Sequence, residues 1–157
     1  MIRRQLPAYS PLTPGRLALA AWDAIRSPEG AREAFRAYLR ERFNAPEAVL
    51  MASGTHALQL ALEVAMAKRR GLVALPAYSC YDIVTAAVGA KVEATFYDID
   101  PVSLSPDMQS LTQALEAGAT TVVAGNLYGF PLDWDAIRAA CDAHGAFLIE
   151  DAAQGLG

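Results

Sequence analysis

The sequence predicts an α/β fold of three layers, with a mostly parallel sheet covered by helices on both faces. Short apolar runs without polar alternation indicate strands that are buried on both sides. Helical stretches separate these runs, as in successive strand–helix units. Glycine and polar residues follow each run, where such sheets bind ligands. The chain has 157 residues, of which 54% are apolar, and this suffices for one domain core.

The elements can be followed in order along the chain. The first thirty residues are proline-rich and predict an irregular arm, whereas Ser27-Pro28-Glu29 starts an amphipathic helix that ends near Asn44. Residues 1–45 are therefore an arm and a helix, and residues 46–157 an α/β domain. In that domain we expect five strands, residues 48–52, 72–75, 92–97, 121–125 and 146–150. The helices between them are residues 55–67, which are apolar enough to predict full burial, and residues 81–88, 106–117 and 133–144.

Composition and charge exclude several classes of protein. The net charge of -4 lacks the basic surface that binds DNA or RNA. There is no apolar run of membrane-spanning length and no secretion-signal core, so we expect a cytoplasmic protein without a membrane partner. The cysteines and histidines lack the spacing of a metal site. Asp98 and Asp100 are interpreted as turn residues, with an oxygen-ligand metal site as the alternative.

The segment Ser53-Gly54-Thr55 lies between a predicted strand and a strongly apolar helix. Because the first N–H groups of a helix have no partner within it and carry the positive end of its dipole, this start predicts a phosphate site. Gly54 permits close approach of the backbone, and Thr55 adds a hydroxyl donor. The alternative is that Ser53 only caps a core helix.

Two further strand ends carry candidate ligand contacts. Asp151 follows the last predicted strand, where its carboxylate needs a cationic or hydrogen-bonding partner. A protonated pyridine nitrogen is such a partner, and holding that proton makes pyridoxal phosphate an electron sink. The alternative is that Asp151 caps a following helix. Tyr78 and Tyr81, in the turn after residues 72–75, either cover a flat ring or pack against neighbours.

Several segments together resemble one family, the DegT/DnrJ/StrS group of sugar aminotransferases, which are fold type I enzymes dependent on pyridoxal 5'-phosphate (PLP). The resemblance runs from about Phe43 to the last residue in matching order, so it is more specific than any single motif. It implies that residues 46–157 are part of a PLP-binding large domain. The matching segments are residues 53–62, 76–80, 89–91 with 97–100, 126–129 with Pro131 and Asp133, and 150–157.

The resemblance also implies roles for individual residues. Gly54 and Thr55 would hold the cofactor phosphate. Asp151 would pair with the pyridine nitrogen, and Gln154 would approach the 3-hydroxyl group of the ring. No residue is implied as a metal ligand.

Two positions depart from the pattern of the family. Cys80 stands where the family often has an aromatic residue that stacks on the ring, so either Tyr81 replaces that contact or the contact is lost. The Schiff-base lysine of the family follows the segment 150–154, whereas this sequence has only Lys68 and Lys91, neither of them placed for that role. We therefore expect an incomplete chain, without its catalytic lysine and the carboxyl-terminal part of the large domain, that is inactive alone.

The resemblance implies a reaction and leaves alternatives open. The complete enzyme would move an amino group from an amino acid, usually glutamate in the family, to a nucleotide-linked keto sugar, and would form a homodimer. Family members without the lysine dehydrate sugars instead. A non-catalytic remnant, with or without a phosphorylated ligand, is another alternative. A dinucleotide-binding domain is disfavoured because Ser-Gly-Thr replaces the glycine-rich fingerprint.

Overall fold

The computed structural model describes residues 12–155, and the chain divides into two compact units, Met1–Leu50 and Met51–Gly157. In the first unit, α1 spans Pro14–Arg26 and α2 spans Pro28–Phe43. The predicted start and end of α2 are confirmed, but the prediction of an irregular arm is wrong for the residues of α1. Pro14 occupies the first helical turn, where no N–H is needed, and Thr13 caps the helix by accepting a hydrogen bond from the N–H of Arg16 at 3.3 Å.

The segment that follows α2 is not the strand that the apolar pattern predicted over residues 48–52. A strand needs a neighbour for its backbone groups, and no described segment pairs with these residues. The carbonyl oxygen of Ala48 instead accepts a hydrogen bond from Nε of Arg36 at 2.8 Å. The same guanidinium forms ion pairs with Glu33 and Glu47 at 3.0 Å. A side chain of α2 thus satisfies a backbone group that a strand would have paired.

The second unit contains a sheet of four parallel strands in the order β2-β1-β3-β4. Four of the five predicted strands are therefore confirmed. Strands and helices alternate along this part of the chain, as predicted. The elements are α3 Gly54–Lys68, β1 Leu72–Pro76, α4 Tyr81–Gly89, β2 Ala94–Tyr97, α5 Met108–Glu116, β3 Ala119–Gly125, α6 Trp134–Ala143 and β4 Phe147–Asp151.

Apolar side chains on the two faces of the sheet form two separate cores. Val73, Leu75 and Val123 pack with Leu62 of α3 and with the buried residues of α4. The intervening positions face the other way, and they pack with α5 and α6; they are Ala74, Val122 and Ala124. This alternation buries the strands on both sides and confirms the predicted three layers.

Helix α3 is less buried than its composition predicted. Only Leu62 and Ala65 are fully buried, and Val64 is 48% exposed. One side of α3 packs against α4 and the sheet, so the apolar residues on its other sides keep their contact with solvent. Among residues 12–155, no helix is both long and apolar enough to cross a lipid bilayer.

Candidate functional site

A cleft of about 610 Å³ opens at the carboxyl ends of the strands, entirely within the second unit. The start of α3 and the loops after β1, β3 and β4 line it, as expected for ligand binding by a parallel sheet. Thr55 and Asp151 both line this cleft, although the strand predicted before Thr55 does not form. The predicted site residues that line the cleft are Gly54, Thr55, Cys80, Asp151 and Gln154.

The first turn of α3 has two N–H groups free for a ligand. Ser53 is the N-cap, and its Oγ accepts a hydrogen bond from the N–H of His56 at 3.2 Å. The N–H groups of Gly54 and Thr55 make no hydrogen bond with any residue of 12–155. A Cβ built on Gly54 meets no atom within 4 Å, so packing within the described chain does not explain the glycine. Free donors, the helix dipole and open space together suit an anion, and the capping role of Ser53 is compatible with this.

Asp151 ends β4 beside Gly125, its partner in the register of β3 and β4. A Cβ on Gly125 would lie only 2.7 Å from the carbonyl oxygen of Asp151, so the glycine allows the two strands to approach here. Oδ1 of Asp151 accepts a hydrogen bond from the N–H of Ala153 at 3.1 Å. Its Oδ2 has no hydrogen-bond partner among the described residues. A half-buried carboxylate at the cleft thus keeps one oxygen for a ligand.

A hydrogen-bonded group at the cleft includes a residue to which the sequence had assigned no role. Tyr128 donates its backbone N–H to Oε1 of Gln154 at 2.5 Å, and its hydroxyl group lies 2.9 Å from that of Tyr78. The bond with Tyr78 raises the pKa of the Tyr128 phenol. The signals in the sequence were the position of Tyr128 just after β3 and its place in the matching segment 126–129, but its partners come from distant parts of the chain.

The aromatic residues near the cleft are arranged differently from the expectation for ring stacking. Cys80 lines the cleft, with its Sγ 3.6 Å from Oδ2 of Asp82. Tyr81 is 77% exposed and lies outside the lining, whereas Tyr78 belongs to it. The stacking roles of Cys80 and Tyr81 stay predictions, and Tyr78 is the tyrosine that the structure brings to the cleft.

The charged residues that line the cleft are all acidic: Asp82, Glu150 and Asp151. Neither lysine of the sequence is among the lining residues. Lys68 ends α3, and Lys91 lies in the turn after α4. An anionic part of a ligand can therefore be bound by neutral donors such as the N–H groups of α3, and the carboxylates suit a cationic part.

The predicted turn at Asp100 is confirmed. Oδ1 of Asp100 accepts hydrogen bonds from the N–H of Val102 at 3.0 Å, and from the N–H and hydroxyl of Ser103 at 2.7 and 2.9 Å. These bonds, above all the backbone bond from Ser103, lower the pKa of the Asp100 carboxyl. Within the described part of the chain, no group of three or more His, Cys, Asp or Glu side chains is arranged to hold a metal ion.

The fold and the cleft define an α/β domain with a crevice at the carboxyl ends of its strands, where the free N–H groups of a helix start and a free carboxylate oxygen lie together. A family model described as the DegT/DnrJ/EryC1/StrS aminotransferase family matches residues 24–157. The chain therefore belongs to this family, and the resemblance found in the sequence is confirmed.

Two curated relatives show the range of sequences that the chain resembles. It is 34% identical over 146 residues to L-glutamine:2-deoxy-scyllo-inosose aminotransferase of Streptoalloteichus tenebrarius, which covers 93% of this chain and 34% of the relative. It is 26% identical over 157 residues to GDP-perosamine synthase of Vibrio cholerae, which covers 97% of this chain and 43% of the relative. The chain thus spans less than half the length of these relatives.

A solved structure shares the fold. The E. coli GDP-4-keto-6-deoxy-D-mannose-3-dehydratase with bound hydrated PLP superimposes with a TM-score of 0.75 at 22% identity. The superposition covers 92% of this chain and 39% of the dehydratase. The four-stranded sheet and its helices therefore have the same fold as part of that dehydratase.

Proposed function

We propose that the protein is a PLP-dependent aminotransferase that acts on a nucleotide-linked keto sugar. One observation supports this proposal above the others: a single cleft contains both the free N–H groups of Gly54 and Thr55 and the free carboxylate oxygen of Asp151. The first pair complements a phosphate group, and the carboxylate complements a protonated pyridine nitrogen. PLP carries both groups on one small ring.

Each of these residues has one task towards the cofactor. Gly54 and Thr55 bind the phosphate through their N–H groups and the Thr55 hydroxyl. Asp151 accepts the N–H of the ring nitrogen and keeps that nitrogen protonated, because its negative charge stabilises the cation. Gln154 donates to the oxygen at position 3 of the ring. Held in this way, PLP supplies an electron-withdrawing ring that stabilises negative charge on the carbon next to the reacting nitrogen.

The proposed reaction exchanges an amino group for a ketone oxygen. The amino acid donor becomes a 2-oxo acid, and the keto sugar becomes an amino sugar. We take glutamate as the amino donor, as the family resemblance implies. Glutamine is the alternative donor, since the relative from S. tenebrarius is named for L-glutamine. The nucleotide-linked substrate draws support from the relative named GDP-perosamine synthase.

A second candidate is a lysine-independent sugar dehydratase of the same family. Neither Lys68 nor Lys91 lines the cleft, and the described residues that would hold the cofactor are the same for both candidates. The two candidates share cofactor and substrate class. They differ in whether nitrogen from the donor enters the sugar.

Cofactor binding is the first test of the proposal. A chain that spans the whole length of the curated relatives, called the full-length protein below, is titrated with PLP by absorbance, together with Asp151→Asn and Thr55→Val, which keep side-chain size. Loss of a charge-assisted hydrogen bond at Asp151 should weaken binding about thirtyfold, and loss of the Thr55 hydroxyl about fivefold. Asp142→Asn, on the exposed face of α6, is the matched control and should bind as the parent does. Absence of PLP binding by the parent protein would refute the proposal.

The reaction itself is tested with isotopically labelled donor. The full-length protein, PLP and either ¹⁵N-glutamate or ¹⁵N-glutamine are incubated with a GDP-linked 4-keto sugar or with 2-deoxy-scyllo-inosose. Transfer of ¹⁵N to the sugar and release of the 2-oxo acid support the aminotransferase. Loss of water from the sugar without ¹⁵N supports the dehydratase, and PLP binding without turnover of any substrate supports a non-catalytic binding module.

A further inference from the structure

We propose that Tyr128 is a positioning residue whose main chain fixes the Gln154 carboxamide, so that Gln154 presents only hydrogen-bond donors to a ligand in the cleft. Tyr128 does not line the cleft, whereas Gln154 does. Tyr128 therefore acts on the ligand through Gln154. The inference rests on the proposed function, which places PLP in this cleft.

The chemistry of the contact determines the orientation of the amide. A backbone N–H can only donate, so the atom of Gln154 that faces Tyr128 at 2.5 Å is the oxygen. The Nε2 group of Gln154 makes no hydrogen bond with the described residues, and its two N–H donors stay available. A rotated amide would place two donors against each other and leave the Tyr128 N–H without a partner. An acceptor on the ligand, such as an ionised ring oxygen, is the group that matches.

The backbone of Tyr128 is strained, and its neighbours hold it in that state. Its φ of 54° and ψ of 22° lie in the left-handed region, which disfavours residues other than glycine and asparagine. The hydroxyl contact with Tyr78 at 2.9 Å anchors the side chain. The next residue, Gly129, also has a positive φ, of 78°. Only this unusual turn aims the N–H of Tyr128 at Gln154, and strain of this kind collects at binding sites.

The test separates the backbone of Tyr128 from its phenol. In the full-length protein, Tyr128→Val opposes the left-handed conformation because valine is β-branched, whereas Tyr128→Gly permits it and removes the phenol. The probe is pyridoxamine 5'-phosphate, which has no aldehyde and binds without a covalent bond. Tyr128→Val should bind it roughly tenfold more weakly than the parent, and Tyr128→Gly should recover affinity to within about threefold.

A second readout reports the hydrogen bond at the ring oxygen directly. The absorbance of the bound probe is followed against pH to obtain the pKa of its 3-hydroxyl group. Gln154→Glu keeps an acceptor for the N–H of Tyr128 but turns a negative oxygen towards the ring. The pKa of the bound 3-hydroxyl should therefore rise by about one unit or more. Tyr128→Val should shift it in the same direction, and Tyr128→Gly should restore it.

Leu104→Val is the matched control. Leu104 also has a left-handed backbone, with φ 58°, and lies outside the cleft lining; the substitution should lower stability and leave the affinity for the probe unchanged. Failure of the parent protein to bind the probe would overturn the proposed function and this inference with it. If the parent binds but Tyr128→Val matches it, or if Tyr128→Gly is as weak as Tyr128→Val, the inference alone is overturned.

Discussion

Gly125→Ala is the substitution whose effect the structure specifies most directly. Gly125 pairs with Asp151 across β3 and β4. A Cβ at position 125 would lie 2.7 Å from the carbonyl oxygen of Asp151 and 3.1 Å from its Cβ. The backbone of Gly125 is outside the left-handed region, so alanine brings no conformational strain there. Any effect comes from the steric conflict with Asp151.

The size of the effect follows from these distances. Ordinary contacts begin at 3.4 Å, so the strands must separate by about 0.7 Å at this point. Such a shift lengthens a backbone hydrogen bond from about 2.9 Å to beyond 3.5 Å, where it is lost. Together, overpacking and the lost bond should lower the free energy of unfolding by about 2 kcal/mol. The displaced Asp151 carboxylate should weaken PLP binding about tenfold, or about 1.4 kcal/mol.

Chemical denaturation and PLP titration of the full-length protein measure the two effects. Gly15→Ala is the control, because a Cβ on Gly15 meets no atom within 4 Å and alanine favours the helix α1. The control should have equal or slightly higher stability and the PLP affinity of the parent. If Gly125→Ala has the same stability and PLP affinity as the parent, β4 is not held against β3 at this distance, and Asp151 does not lie where the structure places it.

Gly54→Ala should leave the free energy of unfolding equal or slightly higher, since the added Cβ enters open space. The same substitution should weaken PLP binding about tenfold by crowding the phosphate site, and denaturation and titration measure the two effects. In alkylation at pH 8, the exposed Cys80 should react, and PLP should slow this reaction because Cys80 lines the cleft. Cys141 is buried, and burial raises its pKa to about 11, so it should react only after unfolding. The hydrogen bond with Tyr78 raises the pKa of Tyr128, so the contribution of that bond to stability is present below the unfolded-state pKa of about 10 and is lost as pH rises through the folded-state pKa. Absorbance titration of the phenols should show late ionisation of Tyr97, whose pKa burial raises, and of Tyr128, and Tyr78→Phe should remove only the late ionisation of Tyr128.

Each of these expectations has a contradicting result. Equal PLP affinity in Gly54→Ala would mean that no ligand approaches that backbone. Alkylation of Cys80 at the same rate with and without PLP would place the cofactor away from the loop after β1. A late ionisation of Tyr128 that persists in Tyr78→Phe would show that the two hydroxyl groups are not paired in solution.

The sequence by itself predicted most of the layered fold because the relevant signals are local. Apolar runs such as residues 72–75 and 121–125 contain their own evidence of burial on both faces. Once these strands are parallel, residues just after them must meet at one edge, so the loop after β1 and Asp151 could be placed together in advance. Thr55 lines the same cleft, although the strand predicted before it does not form. The N-terminal signal at Ser53 was equally local, since capping depends on residues within one turn.

Only the tertiary structure decided features that need a partner from elsewhere in the chain. Residues 48–52 have the apolar pattern of a strand, but no described segment pairs with them. Arg36 instead donates a hydrogen bond to the carbonyl oxygen of Ala48. The contact of Tyr128 with Gln154 joins residues 26 positions apart, and no periodicity along the chain encodes such a contact. Pairing and close approach depend on which segments lie side by side, and a sequence pattern describes only what each segment could do alone.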